Sequence, residues 1–161
     1  MSSAQKALYD TDFAEWRTVT ADLIRAGRFD EIDAAHLAEE IEDLGKSERR
    51  ELHNRIARIM EHALMLSLME GPLLDQNRRG WLASIGRQQR ELRDLFHDSP
   101  SLRAGLTQST LQHCYQKAVE DVTREYDLKP PALCPFDWGD VLPPMSSRGP
   151  AKKVKKTKGV V

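Results

Sequence analysis

Residues 41–69 read IEDLGKSERRELHNRIARIMEHALMLSLM, and the way this stretch folds decides the rest of the chain. Ile41, Gly45, Glu48, Leu52, Ile56, Ile59, Ala63 and Leu66 recur in steps of three and four, the spacing that gathers side chains on one face of an α-helix. After Met60 the segment is apolar on all sides (Met60, Ala63, Leu64, Met65, Leu66, Leu68, Met69), which suits the centre of a bundle. An interior Gly45 costs roughly 1 kcal/mol relative to Ala, yet the pattern runs through it. The spacing predicts one long helix, or two nearly collinear ones, from about residue 34 to 70. Its stretch over 41–69 is expected to be a continuous buried rod.

Working outward, Phe13, Trp16, Thr20, Leu23 and Ile24 predict a first helix from about Asp12 to Ala26, stopped by a left-handed Gly27. Asp30 or Asp33 is the expected N-cap of the next helix, whose Leu37, Ile41 and Leu44 lie opposite acidic Glu39, Glu42 and Asp43. Gly71-Pro72 ends the long helix, and a loop is expected to lead to Asn77. A further helix over about 78–97 sets Trp81, Ile85, Gln88, Leu92, Leu95 and Phe96 along one stripe, with Arg79, Arg90 and Arg93 on a flank. Ser99 and Pro100 start another helix, divisible at Gly105 and reaching about Tyr126. Leu111, Tyr115, Ala118, Val119, Val122 and Tyr126 form its inner face. Five of the eight prolines fall between Lys129 and Met145, beside Cys134, Phe136 and Trp138. This segment reads as an extended arm pressed onto the bundle, with one helical turn from Asp137 to Leu142.

The expected fold is therefore all-α, a bundle of about four to five helices around one long central helix with a Pro-rich C-terminal arm. It reads as a single helical domain over 8–145, followed by a basic, mobile tail over 146–161. The length of 161 residues, 40% hydrophobic and 30% charged, suits one globular domain, and β-branched runs are nearly absent. Cys114 and Cys134 are too few for a disulfide framework or, without His partners, a structural zinc site. The first residues lack the apolar stretch of a signal peptide, and the apolar window 60–69 is too short to span a bilayer. A cytoplasmic protein without a membrane partner is expected.

The net charge of −1 conceals an uneven distribution. Residues 146–161 hold six cations (Arg148, Lys152, Lys153, Lys155, Lys156, Lys158) and no acid, while residues 1–145 hold 18 basic and 25 acidic residues. The body repels a polyanion and the tail attracts one. Within the body, residues 1–48 carry five basic and twelve acidic residues, and residues 49–103 carry ten basic and seven acidic.

The chain resembles a bacterial family named domain of unknown function 29. The resemblance runs through Tyr9-Asp10-Thr11-Asp12-Phe13 with Trp16, and through Arg25-Ala26-Gly27-Arg28-Phe29-Asp30. It is most specific in Leu37-Ala38-Glu39-Glu40-Ile41-Glu42-Asp43-Leu44-Gly45, followed by Ser47-Glu48-Arg49-Arg50. It continues at His62-Ala63-Leu64, at Trp81, Ile85 and Arg90, at Ser99-Pro100-Ser101-Leu102-Arg103, at Cys134-Pro135 and over Asp137 to Leu142. Met65-Leu66-Ser67 departs from the Lys-Trp-Gln stretch expected there. The resemblance implies an all-helical protein and, as the family's name records, no assigned activity.

The candidate functional cluster is His62, Glu40, Arg55 and Trp81. His62 lies in the most apolar helical segment, where burial depresses its pKa and favours the neutral imidazole of a base or metal ligand; the alternative is a core histidine bonded to a neighbouring helix. Glu40, Glu48 and Arg55 flank or join the apolar stripe and are expected to form a half-buried ionic network. His36, Glu39, Glu40 and Asp43 have metal-like spacing, but only one helix supplies them, and a solvated face explains them better. No metal centre and no cofactor is expected, and no nucleophile motif or phosphate-binding glycine loop occurs. The favoured reading is a non-enzymatic helical protein that binds a protein partner or a second copy. The alternatives are a nucleic-acid-associated accessory protein acting through Lys152, Lys153, Lys155 and Lys156, and a metal-dependent bundle enzyme centred on His62.

Overall fold

The computed structural model describes residues 3–142. The basic tail, including Lys152, Lys153, Lys155 and Lys156, lies outside the described residues. In chain order the elements are α1 (Ser3–Thr11), α2 (Phe13–Arg25), a 3-10 turn (Phe29–Glu31), α3 (Ala34–Leu68), α4 (Pro72–Asp98), α5 (Pro100–Ala104), α6 (Gln108–Tyr126) and α7 (Trp138–Val141). Among the described residues there is no strand, so the fold is all-α. The long helix is α3, 35 residues without a break at Gly45. The helices outnumber the expected four to five because α1 precedes Asp12 and because α5 and α7 are short helices of their own. Among the described residues no helix is long and apolar enough to cross a membrane.

The chain divides into two compact units, one ending at Arg49 and one beginning at Arg50. In the first unit, Asp12 separates α1 from α2 and caps α2 by accepting a hydrogen bond from the Glu15 amide at 3.0 Å. The other end of α2 is a Schellman motif. Gly27 takes a φ of +70°, and the Arg28 amide donates to the Leu23 carbonyl at 3.0 Å while the Gly27 amide donates to that of Ile24 at 3.1 Å. Trp16, Leu23 and Ile32 are the buried apolar residues of this unit, with Thr20 donating to the buried Gln5 side chain at 3.2 Å. Tyr9, Phe13 and Trp16 pack ring on ring around them.

The second unit holds a continuous core. Leu52, Ile56, Ile59, Met60, Leu64 and Met65 of α3 meet Trp81, Leu92 and Phe96 of α4 and Leu111, Cys114, Tyr115, Ala118 and Val122 of α6. Each large apolar side chain taken out of water there contributes about 1.5–3 kcal/mol before chain entropy is set against it. The turn into α4 is tighter than the expected loop to Asn77. Gly71 adopts a φ of +73° and Pro72 occupies the first helical turn, so α4 starts at once. Thr107 and Thr110 form a reciprocal cap at the start of α6. Beyond Tyr126, the Tyr115 hydroxyl donates to the Pro131 carbonyl at 2.6 Å, and Phe136 meets the Tyr115 ring edge-on. Asp137 caps α7, where Val141 is buried, with Leu142 buried just after it.

The buried rod is shorter than expected. Ile41 and Leu44 are 60% and 67% exposed, and the buried positions of α3 begin at Leu52. The stripe keeps its period through residues 41–51 only by way of Gly45 and Glu48, which have no apolar side chain to bury. The neighbouring Glu42, Asp43, Lys46, Arg49, Arg50 and Glu51 would have to be stripped of water for a helix to pack there.

Substituting the two halves of one stripe should therefore have unequal effects. Ile56→Ala should lower stability by about 2–5 kcal/mol, as buried Ile→Ala changes do, and Ile41→Ala by no more than about 0.5 kcal/mol. Urea unfolding followed by helical circular dichroism measures both.

Candidate functional site

The four residues of the candidate cluster each have their own contacts. Trp81 is a core residue, 8% exposed, in the packed cluster of the second unit. Arg55 lies one turn from Glu51 and donates to it from Nε at 3.0 Å and from Nη2 at 2.6 Å. Its Nη1 donates to the Gln88 side chain of α4 at 3.0 Å, and Glu91 lies 3.6 Å from Nη2. Glu40 is in the first unit and accepts a 2.7 Å hydrogen bond from the Tyr9 hydroxyl. The ionic network expected among Glu40, Glu48 and Arg55 is thus replaced by different partners: Arg55 ties α3 to α4, and Glu40 ties α3 to α1. The physical reason is helical reach, since side chains pair along a helix at three or four residues, and Glu51 stands four from Arg55 whereas Glu48 stands seven.

His62 is buried at 9% exposure, and its Nδ1 has no hydrogen-bond partner. Burial, with the positive charges of Arg58 and Arg87 adding to it, lowers its pKa to about 4. The imidazole is therefore neutral near pH 7, as the sequence leads one to expect. Such a low pKa makes it a poor general base at neutral pH, where the most effective base has a pKa near the working pH. Glu61, beside it, is a buried carboxylate to which sequence reasoning gave no role. It accepts from Arg58 Nη1 at 2.9 Å, and burial pushes its pKa up, helped by Asp121 and Glu125, against the pull of Arg58. The signal that could have found it is its position: Glu61 is flanked by Met60 and His62 on the all-round apolar segment, three residues from the one cation that can reach it.

The thiols are no better placed for chemistry. Cys114 is fully buried and its pKa is pushed up to about 11 by that burial. Cys134 donates to the Phe136 carbonyl at 3.6 Å and is also shifted upward by burial. A reactive cysteine needs the opposite shift, toward the thiolate. Among the described residues no group of three or more His, Cys, Asp and Glu side chains is arranged to hold a metal ion.

The first unit brings together His36, Glu40 and Asp33, which sequence reasoning named separately, with Tyr9, whose part in it was missed. The His36 ring stacks on Tyr9 with 4.0 Å between centroids, and Asp33 fixes it by accepting from His36 Nδ1 at 2.7 Å and from the His36 amide at 3.3 Å. The bond to Glu40, followed by partial burial and the charges of Glu40, Glu39 and Asp43, pushes the Tyr9 hydroxyl up to about 12, so Tyr9 is a fixed donor. Tyr9 was passed over because α1 has too short an apolar pattern to be recognised as a helix. The one available signal was a Tyr set shortly before the Asp12 cap.

Part of the α3 surface in this unit is exposed. Ile41 and Leu44, three residues apart, are exposed on α3. Around them Glu39, Glu42 and Glu48 are exposed and enter no ion pair among the described residues, while Asp43 pairs with Lys46 at 2.7 Å. Lys46, Arg49 and Arg50 are exposed on the same stretch.

The buried histidine gives a pH dependence whose sign follows from its lowered pKa. The unfolded imidazole takes up a proton near 6.5 and the folded one only near 4, so His62 stabilises the fold above pH 6.5. That stabilisation is lost progressively as pH falls from 6.5 to 4. Between pH 7 and pH 5 the loss should be about 1–2 kcal/mol, and His62→Phe should abolish that part of the slope. Urea titrations of both proteins at the two pH values provide the measurement.

No curated protein and no solved structure gives a significant match to the chain. The profile of a family described as Domain of unknown function DUF29 matches residues 8–145, from before Tyr9 to beyond the last described residue. A match of that extent places both units within one family unit, and the chain belongs to the DUF29 family.

Proposed function

We propose that this protein is a non-enzymatic, cytoplasmic docking protein whose exposed α3 face, centred on Ile41 and Leu44, receives a protein segment or a second copy of the chain. The observation that carries this reading is the pairing of two large exposed aliphatic side chains with carboxylates that have no cationic partner among the described residues. Isolated exposed aliphatics are ordinary; two on adjacent turns, bordered by exposed charge in which acids outnumber bases, form a recognition surface. The chemistry of the interior supports the non-enzymatic half, because the buried imidazole is too weak a base and both thiols are shifted away from the thiolate. A partner for this face carries positive charge, since residues 1–48 hold twelve acids against five bases.

Benzoylphenylalanine placed at Leu44 in the full chain and photolysed in living cells should give an adduct of one discrete mass, lost when Ile41→Gln is added. No adduct, or the same set of adducts from the exposed Leu82, would overturn the docking reading.

A second reading, association with nucleic acid through Lys152, Lys153, Lys155 and Lys156, is favoured by a tail of six cations without an acid. It requires that retention on a DNA column fall sharply in a chain ending at Met145 and weaken with salt. Equal, negligible retention of the two chains would dismiss it.

A further inference from the structure

The exposed stretch of α3 carries charge of both signs, and the signs are ordered along it. Glu39, Glu42 and Asp43 come first, and Lys46, Arg49 and Arg50 follow, all six exposed. Each carboxylate stands seven residues before a cation: Glu39 before Lys46, Glu42 before Arg49, Asp43 before Arg50. Seven residues bring a helix back to nearly the same side after two turns, so that side reads acid and then base. Within one copy the spacing exceeds the reach of a side-chain pair, which forms at three or four residues. Asp43 pairs with Lys46 at 2.7 Å, while Glu39, Glu42, Arg49 and Arg50 enter no ion pair among the described residues.

A partner that satisfies both halves presents bases to the first and acids to the second. A segment basic throughout suits Glu39 and Glu42 but sets its cations against Arg49 and Arg50. A second copy laid parallel opposes each carboxylate with its own counterpart, which is repulsive at contact range. A second copy laid antiparallel reverses the order, and acid meets base. The axis relating the two copies then passes beside Gly45, with Glu42 of each copy opposite Arg49 of the other and Ile41 and Leu44 close to the crossing. Gly45 suits that place. An interior glycine weakens a helix, and packing within one copy does not call for it, since a Cβ there meets the flexible Arg49 side chain at 3.7 Å, an ordinary contact. Where two helices cross, a missing side chain lets the backbones approach closely.

We infer that two copies of this chain pair antiparallel through residues 39–50 of α3, crossing at Gly45. Ile41 and Leu44 pack between the copies, and Glu42 of each pairs with Arg49 of the other. This rests on the docking reading above and names its occupant; the positive charge that the acidic face calls for is supplied by Arg49 and Arg50 of the second copy. The contact is the same from both sides and closes at two copies. The paired stretch is about 18 Å long and makes less than a standard interface, so the pair forms and separates with concentration.

Light scattering of the full chain from about 10 µM to about 500 µM, a range suited to so small an interface, should show the mass rising from 18.3 kDa toward twice that value. Glu42→Arg alone and Arg49→Glu alone each set like charges together twice in the pair and should weaken association at least about fivefold. The exchanged chain, Glu42→Arg with Arg49→Glu, keeps the original net charge and restores both contacts, so it should recover to within about threefold of the original. Gly45→Gln should weaken pairing as much as the single charge reversals. All four variants should keep the helical circular dichroism, because residues 42 and 49 are exposed and a side chain fits at 45. A mass of 18.3 kDa at every concentration overturns the inference. So does an exchanged chain that associates no better than its single variants, or a Gly45→Gln chain that pairs as well as the original. The Leu44 adduct separates this failure from that of the docking reading. If the chain stays single and Leu44 still joins one discrete protein, the reading stands with another occupant; if no adduct forms, both fall.

Discussion

The apolar surface of α3 from Leu52 to Met69 is what the rest of the second unit is arranged against. Helices α4 and α6 pack on it, and the chain returns after Tyr126 to set Val141 and Leu142 beside it. The burial of this surface also decides the chemistry of every polar group caught with it. His62 is held neutral, Glu61 is pushed toward its protonated form by burial while Arg58 pulls the other way, and the Cys114 thiol is made inert. Groups that look reactive on paper are thus subdued by the packing that makes the core, and an isolated imidazole in such a place is a structural residue first.

The first unit is held by other means. Its apolar interior is small, and much of its order comes from directional contacts: a cap at Asp12, a Schellman turn at Gly27, the Tyr9–Glu40 bond, and the stacked rings of Tyr9 and His36. Directional contacts fix a local arrangement without needing a large buried area, so the helix can keep one face uncovered. That is how one continuous α3 comes to have a sealed half and an open half. Its composition changes over the same stretch, from charged before Leu52 to nearly all apolar after Met60.

Under the proposed docking function, the exposed α3 face with its carboxylates is the part of the protein that makes contact. Electrostatics on such a surface governs encounter and partner choice more than strength of binding.

Much of the fold was legible because periodicity and punctuation are local properties. The three-and-four spacing marked α3, α4 and α6, and Gly27, Gly71-Pro72, Ser99-Pro100 and Gly105 marked their ends. Of the short helices only α1 escaped notice, since its nine residues give too few turns to establish a period, whereas α5 was marked by Ser99-Pro100 and Gly105 and α7 by the turn from Asp137 to Leu142. The low pKa of His62 was also foreseeable, because any histidine in so apolar a segment loses its water. Its isolation was not. Which partners Glu40 and Arg55 would take, that Glu61 would be drawn inside, and that Ile41 and Leu44 would stay outside depended on which helix came to lie on which face. A helical repeat states that a face is able to pack, but only the arrival of another element supplies the surface that removes it from water. Sequence alone determined the long helices and the sign of the charge on each stretch, whereas tertiary structure decided which part of α3 is interior and which stays exposed.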